Sequence, residues 1–277
     1  MTTENSPYRS APLNFRNGIP VFTAEDDYVR NYEAIAGDHV GSLSRGEGNP
    51  FIPEALWREL EDSTRELIIR HAGRGGRILD VGVGLGRLLG PLEGFDRHGM
   101  DISMDYLQQA REVGVEVCFA RIEDMPYQEG FFDAVACTDV LEHVVDLNLC
   151  CGKILSVLKP GGILVVRVPY KEDLECYLDK MYPYRYAHLR NFDEGSLRVL
   201  FEKVFGCEFV CSTMAGYRLA DTRLAWRLPW GQDTLLRLIY WSRRIGGEFH
   251  RTIVRKAFLP VEFNAVFRKP AGPGDAP

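Results

Sequence analysis

The clearest chemical signal in the sequence is the glycine-rich stretch ILDVGVGLGRLL at residues 78–89. An apolar run ends there at Asp80, and Gly82, Gly84 and Gly86 follow it. Glycines let a backbone turn tightly and approach a ligand closely. A helix that begins at such a turn would also offer unpaired N–H groups. The stretch therefore predicts a site for a nucleotide-like cofactor.

Acidic residues near this turn favour one kind of cofactor over another. The dinucleotide pattern G-x-G-x-x-G would place its third glycine at position 87, which is Arg87 here. Asp80 would repel a pyrophosphate but could hold a cationic amino group. Asp101, in HGMDIS, can accept both hydroxyls of a ribose, although it could instead cap the helix that begins near Ser103. The pattern favours a cofactor with a positively charged end.

The elements around the turn alternate between short apolar runs and helical segments. Such alternation requires crossover connections and predicts a largely parallel sheet with helices on both faces. The predicted strands span residues 77–81, 98–102, 115–120, 132–137, 163–168, 208–214 and 261–268. The predicted helices span residues 26–36, 53–73, 86–92, 103–112, 146–158 and 192–205. The fold class is therefore α/β.

Four blocks in this order resemble the class I S-adenosylmethionine (SAM)-dependent methyltransferases. They are LDVGVGLGR, GMDIS, EDMPYQEGFFDAVACTDVLEHV and LKPGGILVVRVP, and HLRNFDEGSLRVLFEKVFG resembles a later helix and turn. The resemblance is to the branch of small-molecule and sugar methyltransferases that includes ubiquinone-biosynthesis enzymes. It implies a Rossmann-like seven-stranded sheet, with the last strand antiparallel and SAM across the carboxyl ends of the first strands.

Cofactor-binding residues follow from the resemblance, position by position. Asp80, Gly82 and Gly84 would face the methionine part of SAM, and Cys137 and Thr138 would line the same side. Asp101 would bind the ribose and Ile102 would pack on the adenine. Many relatives place an acid after the third strand to receive the adenine amino group, but this chain has Arg121, which offers no acceptor. Glu123, Asp124 or the backbone of Ile122 is expected to make that contact.

Two histidines are the candidates for catalysis. Methyl transfer mainly requires an acceptor held in line, and a base helps when the acceptor is a hydroxyl. His143 follows the fourth predicted strand and His188 lies in the loop after the fifth, so both should border the predicted cofactor site. The alternative is that either one is an ordinary surface or core histidine. A Glu and a His here lie near a divalent cation in ubiquinone-type relatives, but nothing else indicates a metal, and we predict none.

A tyrosine cluster follows the fifth predicted strand and suits a sugar ring or an aromatic substrate. Its members are Tyr170, Tyr177, Tyr182, Tyr184 and Tyr186. The alternative is a packed lid whose hydroxyls stay in water. Tyr28 and Tyr32 are expected to belong to an N-terminal lid over SAM.

The composition limits the classes of protein to which this chain can belong. The chain has 277 residues, 45% hydrophobic and 26% charged, which is ordinary globular usage. No apolar run approaches the length of a membrane span, and no signal peptide is recognisable. Seven cysteines without a CxxC pair favour reduced thiols. We therefore expect a cytoplasmic protein.

The sequence divides into five predicted segments. They are an N-terminal arm and lid at 1–60, a SAM-binding core at 61–214, a basic insertion at 215–260, a last core strand at 261–270 and a disordered tail at 271–277. The insertion contains Trp226, Trp230 and Trp241 and nine basic residues against three acids, although the chain's net charge is −6. It suits a cap or homodimer interface, or contact with a membrane surface or a lipid-linked substrate. No motif favours nucleic acid.

These observations predict a methyltransferase that acts on a small molecule. The preferred reaction is O-methylation of a sugar hydroxyl on a glycan precursor or a glycosylated natural product. The alternatives are N- or C-methylation of another metabolite, such as a quinone-like ring, and a SAM-binding partner subunit without transferase activity.

Overall fold

The computed structural model describes residues 6–219 and 258–271, and its strands all join one sheet. The strands are β1 (Asn14–Arg16), β2 (Ile19–Val21), β3 (Arg77–Val81), β4 (Asp96–Asp101), β5 (Glu116–Phe119), β6 (Phe132–Thr138), β7 (Leu158–Pro169), β8 (Glu208–Leu219) and β9 (Phe258–Arg268). Their order across the sheet is β1-β2-β5-β4-β3-β6-β7-β9-β8. The predicted α/β class with a mainly parallel sheet is confirmed.

Strands β3 to β9 correspond to the predicted seven-stranded sheet. Strands β5, β4, β3, β6 and β7 pair in parallel, and β9 pairs antiparallel with both β7 and β8. The two further strands, β1 and β2, are an antiparallel hairpin from the N-terminal arm. Val21 of that hairpin pairs with Phe119 of β5, so the arm extends the sheet rather than forming a loop.

Helices cover both faces of the sheet. They are α1 (Asp27–Ser44), α2 (Glu54–Ala72), α3 (Met104–Glu112), α4 (Leu147–Val157) and α5 (Glu194–Arg198), and α5 continues as a π-helix over Val199–Val204. Capping side chains start several of them: Asp26, Ser103, Asp146 and Asp193 each accept a bond from a first-turn backbone N–H. Gly73 ends α2 at φ +78°, as predicted.

Two apolar clusters fill the space between the sheet and its helices. Alternate residues of one strand point to opposite faces, so Leu79 of β3 joins one cluster and its neighbour Ile78 joins the other. Ile154 of α4 packs in the first cluster, and Ile68 of α2 and Leu107 of α3 pack in the second. This burial fixes the strand register, and with it the positions of the polar residues at the strand ends.

One predicted helix is wrong. Residues 86–92 form successive turns, with Gly86 N–H donating to Val83 O at 2.9 Å and Gly90 N–H to Gly86 O at 2.8 Å. Gly82, Gly84 and Gly86 all have positive φ, and Pro91 follows, so a regular helix does not form there.

The last two strands of the chain, β8 and β9, are longer than predicted. β8 extends to Leu219 and β9 begins at Phe258, so the segment between them is 220–257. The predicted helical insertion, its tryptophans and its membrane or dimer role thus lie outside the described residues, as does the tail beyond 271. Among the helices that are described, none is both long and apolar enough to cross a bilayer.

Candidate active site

A cavity of about 940 Å³ lies at the carboxyl ends of β3, β4, β6 and β7. Open α/β sheets bind ligands at this edge. The cavity brings together the glycine turn, Asp101 and both candidate histidines, which are far apart in the sequence. Helix α1 and the segment after β7 cover it: Asn31 of α1 bonds the backbone of Arg185 (2.9 Å) and Tyr186 (3.1 Å), and the Tyr184 hydroxyl donates to Asp38 at 2.6 Å.

The glycine turn needs its glycines but offers few free amides. Gly82 has φ +78°, and a Cβ there would lie 2.4 Å from Cγ2 of Val140. The N–H groups of Gly82 and Val83 donate to Met100 O (2.9 and 3.0 Å), and that of Gly84 donates to Asp101 Oδ2 (2.9 Å). Because these amides are already used within the protein, the turn is poorly suited to a pyrophosphate.

Asp80 instead offers a buried carboxyl group to the cavity. Its side chain lines the cavity, the residue is 1% exposed, and Oδ1 has no hydrogen-bond partner among the described residues. Burial raises the pKa of Asp80 well above its usual value, and the Arg167 guanidinium opposes that rise. A cationic amino group would satisfy the unpaired oxygen. The residues therefore fit the methionine ammonium of SAM.

Asp101 lies at the end of β4, where a ribose was predicted to bind. It accepts N–H bonds from Gly84, from Ile102 (2.7 Å) and from Ser103 (3.0 Å), which hold the carboxylate at the cavity wall. Burial raises the pKa of Asp101 to about 6, although the three backbone bonds lower it. Ile102 lines the cavity next to it. The alternative, capping of α3, is wrong because Ser103 caps that helix.

The predicted adenine side holds Ile122 and Glu123 but not Asp124. Arg121 forms ion pairs with Asp26 (2.6 Å) and Glu123 (2.9 Å), so it attaches the start of α1 to this wall. Asp124 does not line the cavity. Its Oδ2 accepts a bond from Thr23 at 2.9 Å and anchors the N-terminal arm.

Thr138 lines the cavity at the end of β6, whereas the neighbouring Cys137 is buried in the core because the strand alternates. The next residue, Asp139, has φ +55°, a conformation uncommon for residues other than glycine. This strained turn aims the Asp139 carboxylate at Arg167.

Sequence reasoning missed a buried ion cluster beside the cavity. Arg167 of β7 is 3% exposed and pairs with Asp139 (2.6 Å) and with Glu262 of β9 (2.5 Å). It also donates to the Thr64 hydroxyl at 3.1 Å. Burial raises the pKa of Glu262 to about 8. The sequence signal that could have indicated this cluster is an arginine inside the apolar run LVVRVP.

The two candidate histidines both line the cavity and are in contact with each other. Their ring centroids are 4.4 Å apart, edge to face. His188 Nδ1 forms a short bond with Glu172, another cavity residue that the sequence did not indicate. A carboxylate at Nδ1 favours the tautomer with its proton there and leaves Nε2 able to accept one.

His143 has a different environment. The Tyr32 hydroxyl lies 3.0 Å from its Nδ1, and the ring also bonds the backbone of Ala187. Burial and the neighbouring His188 lower the pKa of His143 to about 3. The ring is therefore neutral near pH 7 and a weaker base than an ordinary histidine.

Glu142 completes this cluster. Ligand atoms of Glu142, His143 and His188 lie within 4.8 Å of one another, close enough for one metal ion to bridge them. The absence of a metal therefore stays a prediction.

Comparisons with known proteins agree with this geometry. Residues 79–166 match a family model described as a methyltransferase domain. A ubiquinone biosynthesis O-methyltransferase of Xylella fastidiosa is 31% identical over 154 residues, covering 52% of this chain and 63% of that protein. The chain spans about half to 63% of the length of the curated relatives it matches first.

Solved structures share the fold at low identity. One belongs to the complex of the Haloferax volcanii Trm112 methyltransferase activator with a methyltransferase (TM-score 0.60, 17% identity, 88% of this chain and 98% of that one). Another is the 1,6-didemethyltoxoflavin-N1-methyltransferase of Burkholderia thailandensis (TM-score 0.53, 18% identity, 94% and 100%). The sheet, the glycine turn with its two acids and the methyltransferase-domain match over residues 79–166 agree with the class I SAM-dependent methyltransferase that the sequence predicts.

Proposed function

We propose that this protein transfers the methyl group of SAM to a hydroxyl oxygen of a small molecule, with a sugar as the preferred acceptor. The observation that carries this proposal is one cavity with two kinds of polar site. Asp80 and Asp101 lie on the cofactor side, and the His188–Glu172 pair lies on the other.

The cofactor side supports SAM specifically. Asp80 would hold the methionine ammonium and Asp101 the ribose hydroxyls. Ile102 would pack on the adenine, and Glu123 or the backbone of Ile122 would receive its amino group. Thr138 lines the methionine end. When bound, SAM supplies a methyl carbon that is already activated on a sulfonium.

His188 is the better candidate for the base. An acceptor oxygen that forms the new O–C bond must lose its proton, and His188 Nε2 can take it and pass it to solvent. Glu172, bonded to Nδ1, would hold the ring so that Nε2 faces the acceptor. His143, with its low pKa and its bonds to Tyr32 and Ala187, would position the acceptor instead.

The acceptor side has room and rings for a sugar-sized molecule. A cavity of 940 Å³ is at the upper end of the range for small-molecule sites. Tyr177 and Tyr182 line it with ring centroids 5.0 Å apart, and Tyr177 also packs on His188 at 5.1 Å. Apolar rings with hydroxyl tips suit a sugar better than a flat, fully apolar ring.

The test is methyl transfer from labelled SAM to a panel of monosaccharides and glycosides, with the wild type compared to His188→Gln. We expect this substitution to lower kcat by about 100- to 10,000-fold. Affinity for S-adenosylhomocysteine (SAH) should stay nearly unchanged. Glu172→Gln should lower kcat less, because His188 keeps its Nε2 atom but loses the carboxylate that orients its ring.

The matched comparison is His143→Gln, which should raise KM more than it lowers kcat. If His188→Gln retains full kcat with a hydroxyl acceptor, His188 is not the base. Wild-type protein that binds SAH but methylates no member of the panel would favour the non-catalytic partner role. Transfer to nitrogen or carbon, shown by the mass spectrum of the product, would favour the N- or C-methylation alternative.

A further inference from the structure

Glu142 is a buried carboxylate that the proposed transfer does not use. The residue lines the cavity and is 1% exposed, and neither carboxylate oxygen has a hydrogen-bond partner among the described residues. Its backbone is held in place, because the carbonyl accepts a bond from Leu189 N–H at 2.8 Å. A buried carboxylate without a donor is costly, so its place at a ligand cavity points to a ligand that completes it.

The surroundings of Glu142 favour a positive ligand. Asp139, Glu172 and Glu262 all add negative potential around it. Nine carboxylate side chains but only three arginines line the cavity in the described part of the chain. Those three arginines, Arg87, Arg121 and Arg167, are each paired with carboxylates of their own.

Aromatic rings flank the same place. Tyr32 packs edge-on against His143 at 5.4 Å, and Tyr177 and Tyr182 line the cavity beyond His188. Aromatic faces attract cations, most strongly where water is excluded. A carboxylate with flanking tyrosines suits an organic ammonium group.

We propose that Glu142 binds a protonated amino group of the acceptor, so that the substrate is an amino sugar or another amino alcohol. This assignment of Glu142 rests on the proposed function and narrows the class of acceptor. A protonated amine has no free electron pair and cannot attack the methyl carbon, so its hydroxyl neighbour remains the nucleophile. Glu142 would thus select the acceptor molecule, and His188 would select the hydroxyl oxygen that is methylated.

A metal ion is the competing occupant of this cluster. To keep the existing bonds of the two histidines it could use only their Nε2 atoms, because the Tyr32 hydroxyl lies 3.0 Å from His143 Nδ1 and Glu172 bonds His188 Nδ1. An ammonium group needs only the carboxylate and leaves these bonds intact.

The experiment measures binding of paired probes to SAH-saturated protein in buffer containing EDTA. The cationic probes are D-glucosamine and ethanolamine, and their neutral partners are N-acetyl-D-glucosamine and ethylene glycol. We expect each amine to bind at least about tenfold more tightly than its partner. Glu142→Gln should abolish this preference, while Glu175→Gln, the same change at an exposed position, should preserve it.

Equal binding within each pair, or no binding by either amine, overturns the assignment. Mn²⁺ binding without EDTA that is lost in Glu142→Gln would assign the cluster to a metal instead. Weaker binding of SAM but not of SAH in Glu142→Gln would place the carboxylate against the sulfonium and also overturn it. The SAH titration of each variant reports folding and cofactor binding, so failure of the proposed function appears there separately.

Discussion

Cofactor affinity should depend on pH through Asp101. The pKa of this carboxyl is about 6 in the free protein. A ribose donates hydroxyl hydrogen bonds, which favour the charged form, so the pKa must fall when the ligand binds. With a free pKa of 6, Asp101 is about 90% ionised at pH 7 and about 10% ionised at pH 5. Affinity should therefore fall about tenfold between these values, or about 1.4 kcal/mol.

The assay is calorimetric titration with 5′-methylthioadenosine between pH 5 and 8. This ligand has the ribose and the adenine but no methionine ammonium, so it separates Asp101 from Asp80, whose pKa is also raised. Titration near pH 6 in two buffers of different ionisation enthalpy should show proton release on binding.

Asp101→Asn is the control, because its amide oxygen keeps an acceptor but does not titrate. The variant should bind weakly and with little pH dependence below pH 7. If wild-type affinity for 5′-methylthioadenosine is unchanged between pH 7 and pH 5, then Asp101 either does not touch the ribose or does not titrate in this range, and the reasoning fails.

Two further predictions concern stability. Arg167→Gln leaves Asp139 and Glu262 without the buried cation that they share, and the free energy of unfolding in urea should fall by about 3–5 kcal/mol; a loss below about 1 kcal/mol would mean that these ion pairs do not stabilise the fold. Gly82→Ala forces a side chain into φ +78° and 2.4 Å from Val140, so it should cost about 1–3 kcal/mol and weaken SAH binding, whereas Gly94→Ala, with no atom near its Cβ, should do neither.

Local sequence patterns were sufficient for most of the fold. Apolar runs of strand length, separated by capped amphipathic helices, predict a parallel α/β sheet because such strands must be buried on both faces. The strand ends then place Asp80, Asp101, Thr138 and His143 at one edge, and all four line the cavity. The sequence located the glycine turn correctly. The helix predicted after it does not form, because three positive φ angles and Pro91 outweigh the local apolar pattern.

What the sequence by itself determined is therefore the class of the protein, the edge of the sheet where the cofactor belongs and the residues that follow each strand. Only the tertiary structure decided how those residues pair. Arg167 meets Asp139 and Glu262 across three strands, and Glu172 meets His188. Arg121 and Asp124 turn to the N-terminal arm, and no described residue forms a hydrogen bond with the Glu142 carboxylate. Such pairings depend on distances between residues far apart in the chain, which local spacing does not encode, and they decide which charges remain for a substrate.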